Sequence, residues 1–253
     1  MAVRVGVQVQ PQQGSFTAMR DAWLRAEELG VDAIYNWDHF YPLYGDPDGE
    51  HYECWTTLAA LAEATERPEV GALVVCNSYR NPNLVADMAR TVDHISGGRL
   101  VLGLGAGWFQ RDYDEYGYDF GTAPSRLRQL DAAMPVILER LGRLNPPPVH
   151  RIPIMIGGGG EKVTLRITAQ YADRWNGSGD PDVIRHKARV LAGHCERLGR
   201  DPAEIDLTVT NITAANVGRL DEYVAAGVRE LIVPTGGPDW DLSVVRDVLA
   251  RRA

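Results

Sequence analysis

Short apolar runs alternate along the chain with longer amphipathic stretches. The first run, Val3 to Val9, is followed by a stretch with helical periodicity from Phe16 to Leu29, and this order repeats to the end of the sequence. Short apolar runs are typical of buried parallel strands, and a period of 3.6 residues is typical of the helices that pack on them. The pattern predicts eight strand–helix pairs. A single-domain (β/α)8 TIM barrel requires that number, and a doubly wound parallel sheet is the alternative.

The predicted elements leave two long connections, one after the second strand to about Glu53 and one from Phe109 to Thr122. Because Pro146 to Pro148 lead directly into the fifth strand, we interpret them as a loop within one domain of residues 1–253. The predicted strands are 3–9, 32–36, 70–75, 99–104, 154–156, 173–176, 205–210 and 230–233, and the predicted helices are 16–29, 55–66, 84–95, 125–141, 161–172, 180–198, 219–226 and 242–251.

Two predicted strands end in segments with almost no side chains. Gly105-Ala106-Gly107 follows the fourth strand, and Gly157 to Gly160 follow the fifth strand, directly before a predicted helix. Glycine allows either a ligand or another segment to approach the backbone closely. A glycine-rich loop before a helix also leaves N–H groups free, which favours a phosphate site. The loop matches neither GxGxxG nor GxxxxGK[ST], so it is not a Rossmann or P-loop motif.

In a barrel, the active site is built from the loops that follow the strands. These loops contain no Lys for a Schiff base, no His cluster for a metal-dependent hydrolase, and no carboxylate pair for glycoside hydrolysis. We therefore expect no metal site, and a flat cofactor with a phosphate group that supplies the chemistry. The residues at the strand ends are Gln8–Gln10, Asp38–His39, Cys76–Asn77, Gly105–Gly107, Gly157–Gly160, Trp175–Asn176, Thr210–Asn211 and Pro234–Gly236.

Charge and cysteine content narrow the classes of partner. The net charge is −8 and basic residues form no run, which disfavours binding to nucleic acid or to anionic membranes. No apolar run is long enough to span a membrane, and the N-terminal segment lacks the apolar region of a signal peptide. Cys54, Cys76 and Cys195 are odd in number and have no CxxC spacing. We expect a cytoplasmic protein that binds small molecules.

Three blocks of the sequence carry a family resemblance: AIYNWDHF at 33–40, VVCNSYRNPNLVADMARTVDHISGGRLVLGLGAGW at 74–108, and IPIMIGGGGEKVTLRITAQYADRWN at 152–176. Together with Tyr116-Gly117, they resemble the bacterial luciferase-like monooxygenase superfamily, in its branch that uses the deazaflavin coenzyme F420. The last third of the chain matches only in general pattern. The resemblance implies a (β/α)8 barrel, often a homodimer, with the cofactor ring in the barrel mouth.

The resemblance also implies which residues contact the cofactor. The ring would be backed by a non-proline cis peptide at the end of the third strand, at Val75–Cys76 or Cys76–Asn77. Asp38 and His39 match an Asp-His pair that faces the ring. The phosphate and ribityl tail would lie beside Gly105, Ala106, Gly107, Gly157, Gly158, Gly159 and Gly160, with Arg111 as a nearby cation.

Each of these side chains has more than one possible role. His39 could transfer a proton beside the redox carbon, because imidazole titrates near neutral pH, or it could only shape the pocket. We interpret Asp38 as a residue that hydrogen-bonds to the ring or orients His39. We interpret Cys76 as a small side chain that packs beneath the ring. Three tryptophans either line the substrate side of the pocket or belong to the hydrophobic core: Trp37, Trp108 and Trp175. Four other histidines are predicted to be exposed, in surface loops or on solvated helix faces: His51, His150, His186 and His194.

These observations favour an F420-dependent oxidoreductase that passes a hydride between the coenzyme and an unidentified small organic substrate. An FMN-dependent monooxygenase served by a separate reductase is the alternative, and a non-catalytic cofactor-binding protein is a third possibility. Sugar-phosphate dehydrogenases of the deazaflavin branch carry Glu directly after the glycines of the fourth strand, where this chain has Trp108. We therefore expect no sugar-phosphate substrate. The aromatic loops at 40–53 and 109–122 suggest an uncharged or weakly polar one.

Overall fold

The computed structural model of the chain describes residues 3–252, so positions 1, 2 and 253 of the predicted domain lie outside the described residues. Its helices are α1 (Phe16–Glu28), α2 (Cys54–Ala64), α3 (Pro82–Ile95), α4 (Gln110–Tyr116), α5 (Ala123–Leu141), α6 (Thr164–Tyr171), α7 (Pro181–Leu198), α8 (Leu220–Ala225) and α9 (Ser243–Ala250). Its strands are β1 (Arg4–Val9), β2 (Ala33–Asn36), β3 (Glu69–Ala72), β4 (Val75–Cys76), β5 (Leu100–Gly105), β6 (Ile154–Gly157), β7 (Arg174–Gly177), β8 (Asp206–Val209) and β9 (Val228–Thr235).

The strands form one closed parallel barrel. β1 pairs with β2 on one side and with β9 on the other, and the ladder continues through every neighbour until β3 meets β5. The short strand β4 also pairs with β5, so β3 and β4 together occupy the third of the eight strand positions of the barrel. Closure confirms the predicted (β/α)8 barrel, because a doubly wound sheet would leave two unpaired edges.

The alternation of side chains along β1 separates the two layers of the core. Val5, Val7 and Val9 are buried in the large cluster that joins the strands to the surrounding helices. The intervening positions include Gln8 and Gln10, which line a cavity at the end of the barrel. None of the helices in residues 3–252 is long and apolar enough to cross a membrane.

The third strand position is interrupted at Leu73-Val74, between β3 and β4. The side chain of Val74 occupies the space that Gly105 and Gly157 leave free. A Cβ atom on Gly105 would lie 2.6 Å from Val74 Cγ2, and one on Gly157 would lie 2.9 Å from Val74 Cγ1. These two glycines therefore admit a protein segment, which is one of the two interpretations of a bare strand end.

The position of the non-proline cis peptide differs from the prediction. The cis bond joins Leu73 to Val74, so the expectation of Val75–Cys76 or Cys76–Asn77 was wrong. The reason is that β3 ends at Ala72, three residues earlier than the apolar run 70–75 suggests, and the chain turns before β4 begins.

Two other predicted boundaries were also wrong. The predicted loop from Phe109 to Thr122 contains α4, which ends at Gly117 in the left-handed conformation with φ 71°. α6 begins at Thr164 and not at Glu161, because residues 161–163 form a turn. Both changes concern loops of the barrel mouth, where local periodicity is short.

Substitution of Gly105 tests the contact with Val74. We expect Gly105→Ala to lower the free energy of unfolding by about 1–3 kcal/mol, since the added methyl overpacks a filled site. Val74→Ala in the same chain should restore most of that loss. Urea denaturation followed by circular dichroism measures both effects.

Gly218→Ala is the matched control, because a Cβ atom there has no neighbour within 4 Å. If Gly105→Ala is no more destabilising than Gly218→Ala, the proposed role of Gly105 in admitting Val74 is contradicted.

Candidate active site

A cavity of about 400 Å³ opens at the carboxyl ends of the barrel strands. This is the end at which barrels carry their active sites. The residues that line it include several that were not selected from the sequence as cofactor contacts, among them Leu43, Tyr44, Tyr79, Thr164 and Thr210. Several residues selected from the sequence line it: Asp38, His39, Val75, Cys76, Gly105, Ala106, Gly107, Gly157 and Gly158.

Four of the selected residues do not line the cavity. Asn77 begins a short 3-10 helix behind it, and Gly159 and Gly160 lie on the exposed part of the glycine loop. Arg111 lies on α4 and binds the 40–53 loop, donating to Pro47 O at 2.6 Å and to the Asp48 carboxylate at 2.5 Å. The fold therefore does not place Arg111 beside the glycine loop.

His39 is held by a buried carboxylate that the sequence analysis did not identify. Its Nδ1 lies 2.7 Å from Asp112 Oδ2, and Asp112 is fully buried on α4. Asp112 also accepts the N–H groups of Phe40 and Tyr41, at 3.0 and 3.2 Å, and the hydroxyl of Tyr79 at 3.0 Å. Nε2 of His39 has no hydrogen-bond partner among the described residues, and the ring lines the cavity.

Asp38 has a different partner from the one expected. Its carboxylate accepts two bonds from Arg80, at 2.6 and 3.1 Å, and the N–H of Cys76 at 2.9 Å. Arg80 in turn donates to Glu53 at 2.7 Å. Burial raises the pKa of the Asp38 carboxyl, and the adjacent guanidinium opposes that rise. Asp38 thus joins the loop after β2 to β4, while Asp112 orients His39.

Cys76 is packed against a tyrosine and is not arranged as a nucleophile. Its Sγ lies 3.2 Å from the hydroxyl of Tyr113, and burial raises the pKa of the thiol. A thiol with a raised pKa stays protonated near neutral pH, and the thiolate is the reactive form. Gly107 backs onto the same tyrosine, with φ 80°, and a Cβ atom there would lie 2.0 Å from the Tyr113 hydroxyl.

His51 is half-buried, which corrects the prediction that it is exposed. Its Nε2 accepts the indole N–H of Trp37 at 3.0 Å, and the two rings lie side by side with an interplanar angle of 6°. Burial lowers the pKa of His51 to about 4. At neutral pH His51 is therefore an uncharged acceptor that fixes Trp37 in the cavity wall.

The glycine loop is anchored at its first positions and open at the next. Gly158 has φ 122°, donates its N–H to Asn176 O at 3.0 Å, and accepts the indole N–H of Trp175 at 2.9 Å. Trp175 is therefore a core residue. The N–H groups of Gly159 and Gly160 have no backbone acceptor within residues 3–252. These groups are available to an anion at the rim.

Two further observations bear on what the cavity can hold. In the described part of the chain, no three His, Cys, Asp or Glu side chains are placed to hold a metal ion. The hydroxyl of Thr210, in contrast, is buried, lines the cavity and has no hydrogen-bond partner among the same residues. A buried polar atom without a partner is costly, so it is suited to a ligand.

Comparison with known proteins assigns the family. The model of a family described as luciferase-like monooxygenase matches residues 1–236. The chain belongs to the luciferase-like monooxygenase family. The resemblance inferred from the three sequence blocks is thereby confirmed.

Two curated relatives of this luciferase-like chain are named F420-dependent glucose-6-phosphate dehydrogenases. The protein of Microbacterium testaceum is 25% identical over an alignment of 224 positions, and the match covers 81% of this chain and 66% of the relative. The protein of Amycolatopsis mediterranei is 25% identical over an alignment of 189 positions, and the match covers 68% of this chain and 55% of the relative. The match thus spans just under two thirds of the length of the first relative and about half of the length of the second.

A solved structure of similar fold has been described as an F420-dependent secondary alcohol dehydrogenase in complex with an F420-acetone adduct. It has a TM-score of 0.83 and 16% identity, and the match covers 98% of this chain and 99% of the other. Similarity at this identity establishes that the two proteins share the fold. Nearly full coverage shows that the barrel of this luciferase-like chain has the same extent.

Sequence reasoning missed Asp112, Arg80 and Tyr79 as parts of the site. Arg80 lies inside a quoted block, and Asp112 lies four residues after Trp108 in a segment interpreted as a loop. The available signal was the helix stop at Gly117, which would have placed Asp112 in the first turn of a short helix. Nothing in the local pattern indicates that this carboxylate is buried.

Proposed function

We propose that this luciferase-like protein is an oxidoreductase that binds coenzyme F420 in the cavity and passes a hydride between it and a small organic substrate. The observation that carries the proposal is the position of His39, which Asp112 holds by Nδ1 while Nε2 remains free at the cavity wall. The two F420-dependent relatives support the choice of coenzyme. FMN also has a tricyclic ring and a ribityl phosphate, so the first experiment compares the two.

The cavity residues fit a flat ring with a phosphate-bearing tail. Leu73, Val74 and Val75 provide an apolar surface for the ring, and the unpartnered hydroxyl of Thr210 offers a hydrogen bond to a polar ring edge. The free N–H groups of Gly159 and Gly160 lie on the loop that leads to α6, where they can donate to a phosphate.

The coenzyme, when bound, supplies the hydride donor or acceptor. His39 handles the accompanying proton. An ionised Asp112 accepts a hydrogen bond, so Nδ1 of neutral His39 carries the proton and Nε2 presents a lone pair. Nε2 can then accept the proton of a substrate hydroxyl during oxidation and return it during reduction.

The coenzyme assignment is tested by titrating the purified protein with F420 and with FMN, followed by fluorescence. We expect tighter binding of F420. Gly159→Asp should weaken that binding by at least about tenfold, because a carboxylate would face the phosphate. Gly159 is the suitable position, since its surroundings are open and its φ is not positive, whereas any side chain at Gly158 is strained at φ 122°.

Gly159→Asn is the matched neutral control and should bind F420 nearly as well as the wild type. Preferential binding of FMN would favour the monooxygenase alternative. Equal affinity in the Gly159→Asp and Gly159→Asn variants would contradict the phosphate site.

The role of His39 is tested by the tautomer of its ring, measured with nitrogen-15 NMR on labelled protein. Neutral His39 should carry its proton on Nδ1 in the wild type and on Nε2 in Asp112→Asn, because the Asn amide presents a donor to Nδ1. With a substrate found by screening, Asp112→Asn and His39→Gln should each lower turnover by at least about tenfold.

Asp48→Asn is the control for this experiment. It removes an exposed carboxylate that binds Arg111, and it should leave the His39 signals unchanged. An unchanged tautomer in Asp112→Asn would show that Asp112 does not orient the ring.

We also propose that the protein is a cytoplasmic homodimer. The unpaired cysteines Cys54, Cys76 and Cys195 support a reducing compartment. The outer face of α2 has the small residues Ala59 and Ala60, and α2 is apolar almost all round, which is typical of a covered helix.

The groove between α2 and α3 supports this interface. It is lined by Ala59, Leu84, Met88 and Ile95, and Leu84 is 50% exposed. Sedimentation should give twice the chain mass of 27.9 kDa. Leu84→Glu should shift the protein to the monomer, because it buries an unpaired charge. Val224→Glu, at an exposed position on α8, is the control, and a wild-type monomer would refute the proposal.

A further inference from the structure

The mouth of the cavity carries exposed aromatic side chains. Trp108 is 63% exposed and Tyr44 is 62% exposed, and both also line the cavity, next to Leu43 and Trp37. Large apolar side chains that are exposed beside a cavity mark a binding surface. The ligand that completes this surface has an apolar face of its own.

The lining of the cavity contains no free charge. Within the described residues, no Lys or Arg lines it, and Asp38 is the one carboxylate that does. Both oxygens of Asp38 are occupied by Arg80, and one of them also by the N–H of Cys76. A charged ligand group would therefore enter the cavity without a partner of opposite sign.

Two arginines that bond to segments around the cavity already have acceptors. Arg111 donates to Pro47 O and to the Asp48 carboxylate, outside the cavity. Arg126 donates to Gly107 O at 3.1 Å, behind the strand end. An anionic ligand could recruit one of them only by breaking these bonds, so desolvation of its charge would be poorly offset.

Lys187, on the side of the glycine loop, is also paired. Its Nζ lies 2.6 Å from Glu161 Oε1. It lies beside Gly159, within 3.9 Å of the position that a Cβ atom would take there. This cation therefore belongs to the proposed phosphate end of the cavity and not to the aromatic mouth.

His39 is the polar group that the aromatic mouth surrounds. Trp37 and Trp108 meet its ring edge-on, with centroids 5.7 and 5.8 Å away. A ligand oxygen that reaches Nε2 of His39 is therefore flanked by apolar surface on both sides. At the mouth, His39 thus places a hydrogen-bonding group between the rings of Trp37 and Trp108.

We propose that the mouth selects an uncharged alcohol or ketone with an apolar ring, and rejects phosphorylated or carboxylated substrates. The oxygen of the ligand lies at Nε2 of His39, and its ring contacts Trp108 and Tyr44. This inference rests on the proposed function, since it names the substrate class of the same site.

The test measures binding and needs no turnover. Saturation-transfer NMR on the full chain, with and without coenzyme F420, compares 4-methylacetophenone with 4-acetylbenzoate, which differ by a methyl and a carboxylate. Glucose 6-phosphate is the third probe. We expect the neutral ketone to bind at least about tenfold more tightly than either anion.

Variants of the mouth make the test specific. Trp108→Ala and Tyr44→Ala should each weaken the ketone about 2–10-fold, which is the range for a lost aromatic contact. Trp108→Arg should reverse the preference in favour of 4-acetylbenzoate, because it supplies the missing cation. Leu198→Ala, at an exposed position on α7, is the control and should change neither affinity.

Two results would overturn the inference: no detectable binding of the ketone, or equal or tighter binding of an anion to the wild type. The proposed function fails separately. If F420 does not bind but the ketone preference and its loss in Trp108→Ala are observed, the coenzyme assignment is wrong and the selectivity of the mouth stands. If F420 binds and an anion is preferred, the selectivity alone is wrong.

Discussion

The buried carboxylate of Asp112 holds together the parts of the barrel mouth that do not belong to the sheet. It takes hydrogen bonds from the loop after β2, through His39, Phe40 and Tyr41, and from the hydroxyl of Tyr79 after β4. A buried carboxylate is stable only when its oxygens are satisfied in this way. The same interaction therefore stabilises the loops and holds the ring of His39, the one imidazole among residues 3–252 that lines the cavity.

The glycines at the strand ends serve two different purposes. Gly105 and Gly157 make room for Val74, and Gly107 makes room for Tyr113, so their lack of a side chain is a matter of protein packing. Gly159 has open space around it and Gly160 packs against Thr164, and the N–H groups of both have no backbone acceptor among residues 3–252. The cavity floor is consequently a protein segment, the Leu73-Val74 turn, and the outer loop is the part that we propose for a cofactor phosphate.

The distribution of charge around the cavity is as informative as its shape. Arg80 and Arg111 both lie in segments that follow barrel strands. Each of them is bound to carboxylates of neighbouring loops. These ion pairs build the walls and leave the interior without a free cation. The proposed preference for a neutral substrate rests on this pairing of the arginines.

The sequence by itself determined the barrel, the family and the position of the two glycine-rich strand ends. Each depends on local information: strand and helix periods, glycine at strand ends, and contiguous matching blocks. His39 could be selected for the same reason, because it lies three residues after the end of β2 and inside one of the matching blocks.

Only the tertiary structure decided the partners of these residues. Asp112 reaches His39 from 73 positions away along the chain, and Arg80 takes Asp38 from 42 positions away. Val74 fills the space beside Gly105 because β3 ends early and the chain turns inward. Burial and pairing of a charged side chain depend on which segments the barrel brings together, and no local pattern along the chain encodes that.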